Sequence, residues 1–264
     1  RNEVGLAANN WVGGILTRTD GRAEPQKATL AIAKAAENLG ATLLTGCSVR
    51  GIETSGGSLS RVVTEKGPIN TSTVLCAAGA WSSYFCRSLG INVPQLKVRG
   101  TVARTNPVET KLNGTIFDRQ ISIRKRNDGG YTVAHGSTLD HAITPSTLKY
   151  STKYLRALIN EYSVLKLSIG SDFIDELTAP KQWDLDKRSP FEMNRVLNPT
   201  PNKKTISQIQ KKLGEVYPEL KDANIVESWA GMVETTPDVV PVISHIDKIP
   251  GFYLSTGFSG HGFG

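Results

Sequence analysis

Two apolar segments of this chain run directly into loops of small residues, and this pattern constrains the fold more than any other feature. The first segment is VLCAAGAW at residues 74–81, and the second is YLSTGFSGHGFG at residues 253–264. Short apolar runs bounded by glycine are typical of buried strands in layered α/β domains. Small residues at a strand's end either allow tight turn packing or let the backbone approach a flat or phosphorylated ligand.

The spacing of apolar residues predicts helices elsewhere in the chain. Pro25 suits the first turn of a helix that ends before Gly40, and the longest predicted helix spans Thr147–Leu167. A further helix is predicted over Lys204–Tyr217, and AWSSYFCRSLG predicts a short one that ends at Gly90. The apolar positions at helical spacing are Leu30, Ala33, Ala36 and Leu39, then Leu148, Leu155, Leu158, Ile159, Tyr162 and Leu165, and finally Ile206, Ile209, Leu213 and Val216.

Strand patterns account for much of the remaining chain. ATLLTGCSV, residues 41–49, follows the first helix and predicts a strand. VRGIET and LSRVVTE end at the glycine breaks Gly56–Gly57 and Gly67, which predicts a small antiparallel meander. Further strands are predicted in QLKVRGTVART, TIFDRQISIRKR, GGYTVAHGS, ANIVESWAGMVET and GFYLSTG.

Composition argues against several functional classes. The 264 residues are 39% hydrophobic, which is enough for one large domain or two small ones. The sequence contains no run of about 18 or more apolar residues, so it predicts no transmembrane helix. The net charge of +7 comes from scattered Lys and Arg without a nucleic-acid-reading motif, so we expect no nucleic acid partner. Three cysteines without a C-x-x-C spacing indicate free thiols in a reducing compartment, and the four histidines show no metal-ligand spacing.

Four motifs occur in an order that resembles a known enzyme family. They are GGILTRTDGRAEPQKAT, VLCAAGAWS, WAGMVETTPDVVPVI and GFYLSTGFSGHGFG, at residues 13–29, 74–82, 229–243 and 251–264. Together they are similar to motifs of flavin-dependent oxidoreductases of the D-amino-acid oxidase and glycine oxidase group, and the resemblance covers nearly the whole chain. The TGFSGHGF stretch and the W-A-G…T-P-D…P-V-I block are its most specific parts.

The resemblance implies a mixed α/β fold in two domains. Residues 22–92 and 224–264 would build an FAD-binding Rossmann-like domain. Residues 93–223 would build a substrate domain with an antiparallel or mixed sheet, and residues 1–21 would form a junction with it. The family's G-x-G-x-x-G fingerprint is absent from the sequence. We therefore expect this chain to be part of a longer protein whose amino-terminal dinucleotide-binding βαβ unit and final helix lie outside it.

The resemblance also assigns an FAD site built largely from backbone atoms. Val49 would meet the adenine, the first small-residue loop would pass the phosphates and ring system, and the second would face the N1–O2 edge of the flavin ring. Because reduced flavin is anionic at that edge, N–H groups there would stabilise the product of hydride transfer. The expected cofactor residues are Val49, Ala77, Ala78, Gly79, Trp81, Gly231, Gly257, Ser259, Gly260, His261, Gly262 and Phe263.

The expected substrate-binding arginine is missing from its usual position. Many family members carry an Arg two residues after the Gly of W-A-G, where it binds a substrate carboxylate in a bidentate manner, and Val233 stands there in this chain. Arg99, or alternatively Arg124 or Arg126, could take that role. A surface or structural role is the alternative for each of these arginines.

Four further polar residues are candidates for the site. Tyr131 and His135 lie on a predicted strand that could face the flavin, with ordinary sheet packing as the alternative. His261 is the one candidate for a catalytic base, against a structural role. Asp238 follows Pro237 and is expected to form a turn rather than to act in catalysis.

These motifs predict an FAD-dependent oxidase or dehydrogenase that oxidises the C–N bond of an amino acid or related amine, giving an imine and then a keto acid and ammonia. One alternative is flavin-dependent oxidation of a 2-hydroxy acid or polyol, for which Val233 leaves room. Another is a non-catalytic subunit or remnant of the same fold. We expect oxygen or a respiratory carrier as electron acceptor, and a location in the cytoplasm or at the inner face of the membrane. Homo- or hetero-oligomeric assembly is left open.

Overall fold

A computed structural model describes residues 11–161 and 165–260 of the chain. Helices and strands are mixed along the sequence. The helices are α1 (Pro25–Asn38), α2 (Ser82–Ser88), α3 (Pro145–Glu161), α4 (Ser171–Thr178), α5 (Pro190–Met193) and α6 (Lys203–Val216). The strands are β1 (Val49–Ser55), β2 (Ser58–Thr64), β3 (Gly67–Asn70), β4 (Val74–Cys76), β5 (Leu96–Thr105), β6 (Thr115–Ile116), β7 (Ile121–Lys125), β8 (Tyr131–His135), β9 (Leu139–Ala142), β10 (Leu165–Ser168), β11 (Ile225–Thr235), β12 (Val242–His245) and β13 (Phe252–Thr256).

The described chain divides into two compact units. The first unit runs up to Leu43 and adds Gly100–Leu139 and Pro199–Gly231. The second unit contains Leu44–Arg99, Asp140–Asn198 and the chain from Met232 onward. Strands β5 and β11 therefore have residues in both units. The assignment of chain segments to an FAD domain and a substrate domain stays a prediction.

The first unit holds an antiparallel sheet with helix α6 packed on it. The strand order is β5-β8-β7-β6, and β8 pairs with both β5 and β7. Buried and more exposed residues alternate along β7 and β8, as expected for a sheet with one face on a core. The core consists of Ala103, Leu112, Ile121, Ile123, Tyr131, Val133, Ile209, Leu213, Val216, Tyr217, Leu220 and Ala223.

Helix α6 confirms the helix predicted over Lys204–Tyr217. The Asn202 side chain caps it, accepting hydrogen bonds from the backbone N–H groups of Lys204 and Thr205 at 3.0 and 3.3 Å. This cap satisfies donors that the start of a helix otherwise leaves unpaired. Ile209 and Leu213 lie one turn apart and are fully buried, so the face predicted from their spacing does enter the core.

The second unit contains the sheet β1-β2-β3, which confirms the predicted antiparallel meander. It also contains the sheet β12-β13-β4, in which the central strand β13 is antiparallel to β12 and parallel to β4. The start of β5 pairs with β9 in this unit, and Arg99 lies opposite Asp140. A core of Ile52, Leu59, Cys76, Phe85, Cys86, Val93, Ile249, Phe252 and Leu254 lies against these elements.

The strand predicted over residues 41–49 is wrong except at its last residue. The structure has a turn at Thr45–Gly46, where Gly46 has a φ of 56°, and strand β1 begins only at Val49. A left-handed residue interrupts the extended backbone that strand pairing requires. The apolar composition of the segment gave no sign of this turn beyond the glycine itself.

The helix predicted over Thr147–Leu167 is correct for most of its length and wrong at its end. Helix α3 ends at Glu161, and Leu165–Ser168 form strand β10 instead. The carbonyl oxygen of Ser168 accepts a hydrogen bond from the Ile143 backbone N–H at 2.8 Å. Pairing with a neighbouring strand therefore overrides the helical spacing of the apolar residues, as tertiary contacts often do.

The predicted apolar face of α3 is also wrong. Leu148 and Leu155 are 59% and 55% exposed, whereas Tyr150 and Tyr154 are buried. The Tyr150 hydroxyl donates to Asn92 Oδ1 at 2.6 Å, so its polar atom is satisfied on burial. Tyr162, which the prediction placed on the same face, lies outside the described residues.

Helix α1 confirms the helix predicted from Pro25, but none of its residues is buried. Leu30 is 72% exposed, and Leu39, just after the helix, is 89% exposed. The apolar spacing along α1 therefore marks a face that the described chain leaves uncovered.

Candidate functional site

Two parallel strands bring the two small-residue loops to the same edge of one sheet. Strands β4 and β13 run parallel, with Cys76 opposite Leu254, so both strands end at nearly the same level. The first loop, Ala77–Trp81, follows β4, and the second loop, Gly257–Gly260, follows β13. Ligands of open α/β sheets bind outside the carboxyl ends of parallel strands. The sequence revealed each loop separately, and the structure adds that they are neighbours.

A buried glutamine joins the first loop to the last residue of β13, after which the second loop begins. Gln95 is 3% exposed, and its Nε2 donates to the Gly79 carbonyl oxygen at 3.1 Å and to Thr256 Oγ1 at 3.0 Å. Its Oε1 accepts from the backbone N–H of Ser83 at 3.0 Å. Thr256 Oγ1 lies 3.4 Å from the same Gly79 carbonyl oxygen and donates to it. Nothing in the sequence singled out Gln95 beyond its polarity within the mainly apolar run VPQLKV.

The end of β11 forms one side of the second loop. The backbone N–H of Ser259 donates to the Glu234 carbonyl oxygen at 3.1 Å. A Cβ added at Gly260 would lie 3.8 Å from Val233 Cγ1, and one added at Gly79 would lie 4.0 Å from Glu234 Oε2. Glu234 therefore supplies a carboxylate beside the first loop, and sequence reasoning missed it because it was read only as part of a strand.

The second loop needs a glycine at its first position. Gly257 has a φ of 80°, and a Cβ there would lie 2.5 Å from Thr236 Cγ2. Both the left-handed backbone and this close approach disfavour any side chain. Ser259, with a φ of 53°, is a non-glycine residue in the same region.

Aromatic residues support the first loop where it enters α2. Trp81 makes an edge-to-face contact with Phe191, with ring centroids 5.6 Å apart. Phe191 also meets Trp183 and Tyr84 at 5.4 and 5.6 Å. Edge-to-face aromatic pairs at these separations add stabilisation to that gained from burying their apolar surface. The position of Trp81 is thus fixed by the segment that carries Trp183 and Phe191.

The two loops fit a flat nucleotide cofactor held mainly by backbone groups. Ala77 and Ala78 are exposed and carry only methyl groups, so nothing bulky blocks the strand edge. Gly79 and Gly260 have φ angles of 53° and 88°, a left-handed backbone conformation that residues with a Cβ rarely adopt. Backbone N–H groups in such turns can point together towards a ligand. This arrangement is typical of proteins that bind a nucleotide cofactor at the carboxyl ends of parallel strands.

Other predicted cofactor residues are not joined to these loops by the described contacts. Val49 begins β1 and is 38% exposed, and Gly231 ends the last segment of the first unit. His261, Gly262 and Phe263 lie outside the described residues. The roles of all these residues in cofactor binding stay predictions.

Among the predicted substrate residues, Val233 lies at the second loop, as described above, while Arg99 lies on β5. Arg99 donates to Asp140 Oδ2 from Nε at 3.4 Å and from Nη2 at 3.2 Å. The carboxylate opposite it on β9 therefore partly balances its charge. A substrate carboxylate would have to compete with Asp140 for this guanidinium.

Of the two alternative arginines, one is engaged in an ion pair. Arg126 forms an ion pair with Asp128. Arg124 donates from Nη2 to Thr132 Oγ1 at 3.1 Å, and burial lowers its pKa. Both belong to the first unit, whereas the two loops belong to the second.

Tyr131 and His135 belong to the first unit. Tyr131 is 1% exposed, and its hydroxyl donates to the Leu112 carbonyl oxygen at 2.6 Å. Burial raises the pKa of Tyr131. His135 Nδ1 accepts a hydrogen bond from the Ser137 backbone N–H at 3.3 Å. These contacts favour packing and turn roles, and substrate binding by either residue stays a prediction.

Asp238 has the turn role predicted for it. Its Oδ1 accepts a hydrogen bond from the Val240 backbone N–H at 3.2 Å. The Val239 N–H donates to the Thr236 carbonyl oxygen at 3.2 Å, which closes the turn after Pro237.

Two negative findings hold for residues 11–161 and 165–260. No group of three or more His, Cys, Asp or Glu side chains is arranged to hold a metal ion. No helix there combines the length and the apolar character that crossing a membrane would require.

Comparison with known proteins agrees with the class defined by the site. The profile of the family described as FAD dependent oxidoreductase matches residues 2–264. The chain therefore belongs to this family of FAD-dependent oxidoreductases.

Individual relatives are enzymes that act on amino acids. A D-amino acid dehydrogenase from Rhizobium rhizogenes is 30% identical over 52% of this chain and 37% of its own length. A glycine oxidase from Pseudomonas putida is 23% identical over 80% of this chain and 43% of its own length. The structure of an L-amino acid deaminase from Proteus myxofaciens in complex with anthranilate is similar with a TM-score of 0.85 and 33% identity, over 89% of this chain and 53% of that one. The chain thus spans about half the length, or less, of these relatives.

Proposed function

We propose that the protein containing this chain is an FAD-dependent oxidase or dehydrogenase that oxidises the C–N bond of an amino acid. The observation that carries the proposal is the pair of parallel strands, β4 and β13, which bring two small-residue loops to one sheet edge, where Gln95 links the first loop to the end of β13. Family membership supports FAD as the cofactor. The imine product would hydrolyse to a keto acid and ammonia.

The chain's own residues would hold and orient the cofactor. Ala77 and Ala78 leave the edge of the sheet open to a flat ring, and Trp81 borders it. Backbone N–H groups of the loop from Gly257 onward would face the anionic edge of the reduced ring. When bound, FAD supplies the acceptor for the hydride that leaves the substrate's α-carbon.

The proposal assigns residues 22–92 and 224–264 to the FAD domain and residues 93–223 to the substrate domain, with residues 1–21 as a junction segment. Adenine contact by Val49, a cofactor contact at Gly231, and a cofactor contact at His261, which is also the candidate catalytic base, belong to the same proposal. We further propose a cytoplasmic protein, or one at the inner membrane face, that passes electrons to oxygen or a respiratory carrier.

We favour L-amino acids as the substrate class. The L-amino acid deaminase from Proteus myxofaciens is similar to this chain over 89% of its residues at 33% identity. This structural similarity supports the L-enantiomer. The D-amino acid dehydrogenase from Rhizobium rhizogenes, which matches by sequence at 30% identity, is the reason to test the D-enantiomers beside it.

The charge beside the loops also favours an amine substrate. The Glu234 carboxylate lies beside Gly79, and a protonated amino group is attracted to a carboxylate where a neutral hydroxyl gains little. Oxidation of a 2-hydroxy acid or polyol is the second candidate, and Val233, which supplies no charge for a substrate carboxylate, leaves room for a polyol in particular.

The test uses the purified full-length protein. We expect it to bind FAD and to lose flavin absorbance anaerobically when an L-amino acid is added, with release of ammonia and a keto acid. A matched panel contains the D-enantiomers and the corresponding 2-hydroxy acids. Bleaching by hydroxy acids alone would overturn the amine assignment. A protein that stays colourless with added FAD would favour the remaining alternative, a non-catalytic subunit.

A further inference from the structure

The side chain of Gln95 makes its described hydrogen bonds to the first loop, to the last residue of β13 and to helix α2. Its partners are the Gly79 carbonyl oxygen, Thr256 Oγ1 and the Ser83 backbone N–H. Gln95 and Thr256 are 3% and 0% exposed, so the bond between them forms out of contact with water, while Gly79 and Ser83 are half-buried. Three of the four hydrogen bonds that a glutamine amide can make are therefore used within one cluster.

The orientation of the amide is fixed by its partners. The Ser83 N–H can only donate, so Oε1 must face it. The Gly79 carbonyl can only accept, so the NH2 group must face it. Thr256 donates its hydroxyl hydrogen to Gly79, which leaves its oxygen free to accept from Gln95. No flipped amide satisfies the same three groups.

We propose that Gln95 is a positioning residue that sets the spacing between the two cofactor loops. It joins the carbonyl of Gly79 in the first loop to the last residue of β13, from which the second loop leaves. A flat ring that contacts both loops requires their separation to be correct within a fraction of an ångström. This inference rests on the proposed FAD site and adds a residue that holds the site without touching the cofactor.

Replacing the amide with an apolar side chain isolates this role. Gln95→Leu fills a similar volume but leaves the Gly79 carbonyl, the Ser83 N–H and Thr256 Oγ1 without this partner. Buried groups that lose a partner carry a desolvation penalty, and the loops can move apart to reach water. We expect the Kd for FAD to rise about tenfold or more.

A second glutamine, the exposed Gln210, offers a control for the loss of a bridging amide outside the unit that holds the two loops. Gln210 also bridges two backbone groups, donating from Nε2 to the Ala223 carbonyl at 3.1 Å and accepting at Oε1 from the Ile225 N–H at 2.8 Å. It belongs to the first compact unit, whereas the loops belong to the second. Gln210→Leu should lower the free energy of unfolding and leave the Kd for FAD within about twofold of the wild-type value.

The experiment measures FAD binding by quenching of flavin fluorescence, and stability by urea unfolding of the apoprotein. Each is performed on the full-length wild-type protein, Gln95→Leu and Gln210→Leu. A selective loss of FAD affinity in Gln95→Leu is the expected result. If Gln95→Leu binds FAD as tightly as the wild type, or if Gln210→Leu loses as much affinity, the positioning role is wrong. If the wild-type protein binds no FAD, the proposed function itself fails.

Substitutions at Thr256 keep the proposal testable if Gln95→Leu does not fold. Thr256→Val removes the hydroxyl through which Gln95 and Gly79 are linked to the end of β13, whereas Thr256→Ser keeps it. We expect Thr256→Val to weaken FAD binding several-fold and Thr256→Ser to retain the wild-type Kd. Equal affinities of the two variants would contradict the proposed link.

Discussion

Arg50 and Glu192 form a two-point ion pair across 142 residues of sequence. Arg50 Nε donates to Glu192 Oε1 at 2.7 Å, and Nη2 donates to Oε2 at 3.1 Å. Oε1 of the same carboxylate also accepts from the Ser189 backbone N–H and from its hydroxyl, each at 3.1 Å, in a capping box at the start of α5. The pair therefore fastens the segment that carries Phe191 to strand β1. Because Phe191 contacts Trp81, this ion pair indirectly supports the first loop.

The Arg50–Glu192 pair predicts that stability falls in acid. Its hydrogen bonds from Arg50 lower the pKa of Glu192 from 4.5 to about 2. A carboxyl whose folded pKa is depressed stabilises the protein above its unfolded pKa, and this contribution is lost as pH falls from about 4.5 through about 2. Glu192→Gln should lower the free energy of unfolding at neutral pH and flatten its decrease in this range, as measured by urea unfolding at several pH values.

The matched control for net charge is Glu109→Gln, which removes an exposed carboxylate from a loop. An equally steep decline in Glu192→Gln and in the wild-type protein would show that the pair does not govern acid sensitivity. Glu65 has a pKa of about 2 for the corresponding reason, since Arg195 hydrogen-bonds it. A residual decline in Glu192→Gln is therefore expected.

Val239 occupies a backbone conformation that disfavours a branched side chain. Its φ is 62°, and it is 47% exposed. The left-handed region costs a residue with a Cβ roughly 1–2 kcal/mol, and glycine avoids this cost. Part of the resulting stabilisation is offset, because glycine loses more conformational entropy on folding. Val239→Gly should raise the free energy of unfolding by about 1 kcal/mol. Val240→Gly, one residue later, should lower it, and equal effects in a urea titration would contradict the strain at Val239.

The sequence predicts local structure well where a single segment contains all the information. The period of Ile209, Leu213 and Val216 defines α6 because the face it marks is the face that is buried. In α3 the same reasoning fails, since Tyr150 and Tyr154 are buried through hydroxyl partners that lie far away in sequence. A prediction based only on the spacing of apolar residues places such polar side chains on the exposed face, because it cannot detect partners that are distant in sequence.

The candidate site was predictable only in parts. Both small-residue loops are visible in the sequence, because glycine at a strand's end is a local signal. Their adjacency depends on the parallel pairing of β4 with β13, whose residues are about 180 positions apart by their register. Gln95 and Glu234 acquire their roles only through that pairing, so a sequence pattern could not identify them.

Tyr131 allows a direct choice between packing and substrate binding. Tyr131→Phe removes the hydroxyl that donates to Leu112 and leaves that buried carbonyl without this partner. We expect the free energy of unfolding to fall by about 1–2 kcal/mol, with KM and the Kd for FAD unchanged. Steady-state kinetics and urea unfolding of the same preparation check both statements. A raised KM at unchanged stability would instead return Tyr131 to the substrate site.

Glu234 should matter for amine substrates in particular. Glu234→Gln removes the carboxylate beside Gly79 and with it the attraction for a protonated amino group. We expect kcat/KM for amino acids to fall about tenfold, equivalent to ~1.4 kcal/mol, a size that one charge pair near a surface can supply. Glu227→Gln, on the same strand but paired with Arg104, is the control and should change kcat/KM little. Identical losses in both variants would remove Glu234 from the site.

Gly257 should be intolerant of a methyl group for two separable reasons. Alanine there would place a Cβ 2.5 Å from Thr236 Cγ2, in a backbone with a φ of 80°. We expect Gly257→Ala to weaken FAD binding by about tenfold or more, since the second loop must shift to relieve the contact. Thr236→Ser removes Cγ2 but keeps the hydroxyl that donates to the Val240 carbonyl at 2.8 Å. The double variant should therefore recover part of the lost affinity in a flavin fluorescence titration, because only the backbone strain remains. Full recovery would assign the whole effect to the methyl contact, and no recovery would assign it to the left-handed backbone alone.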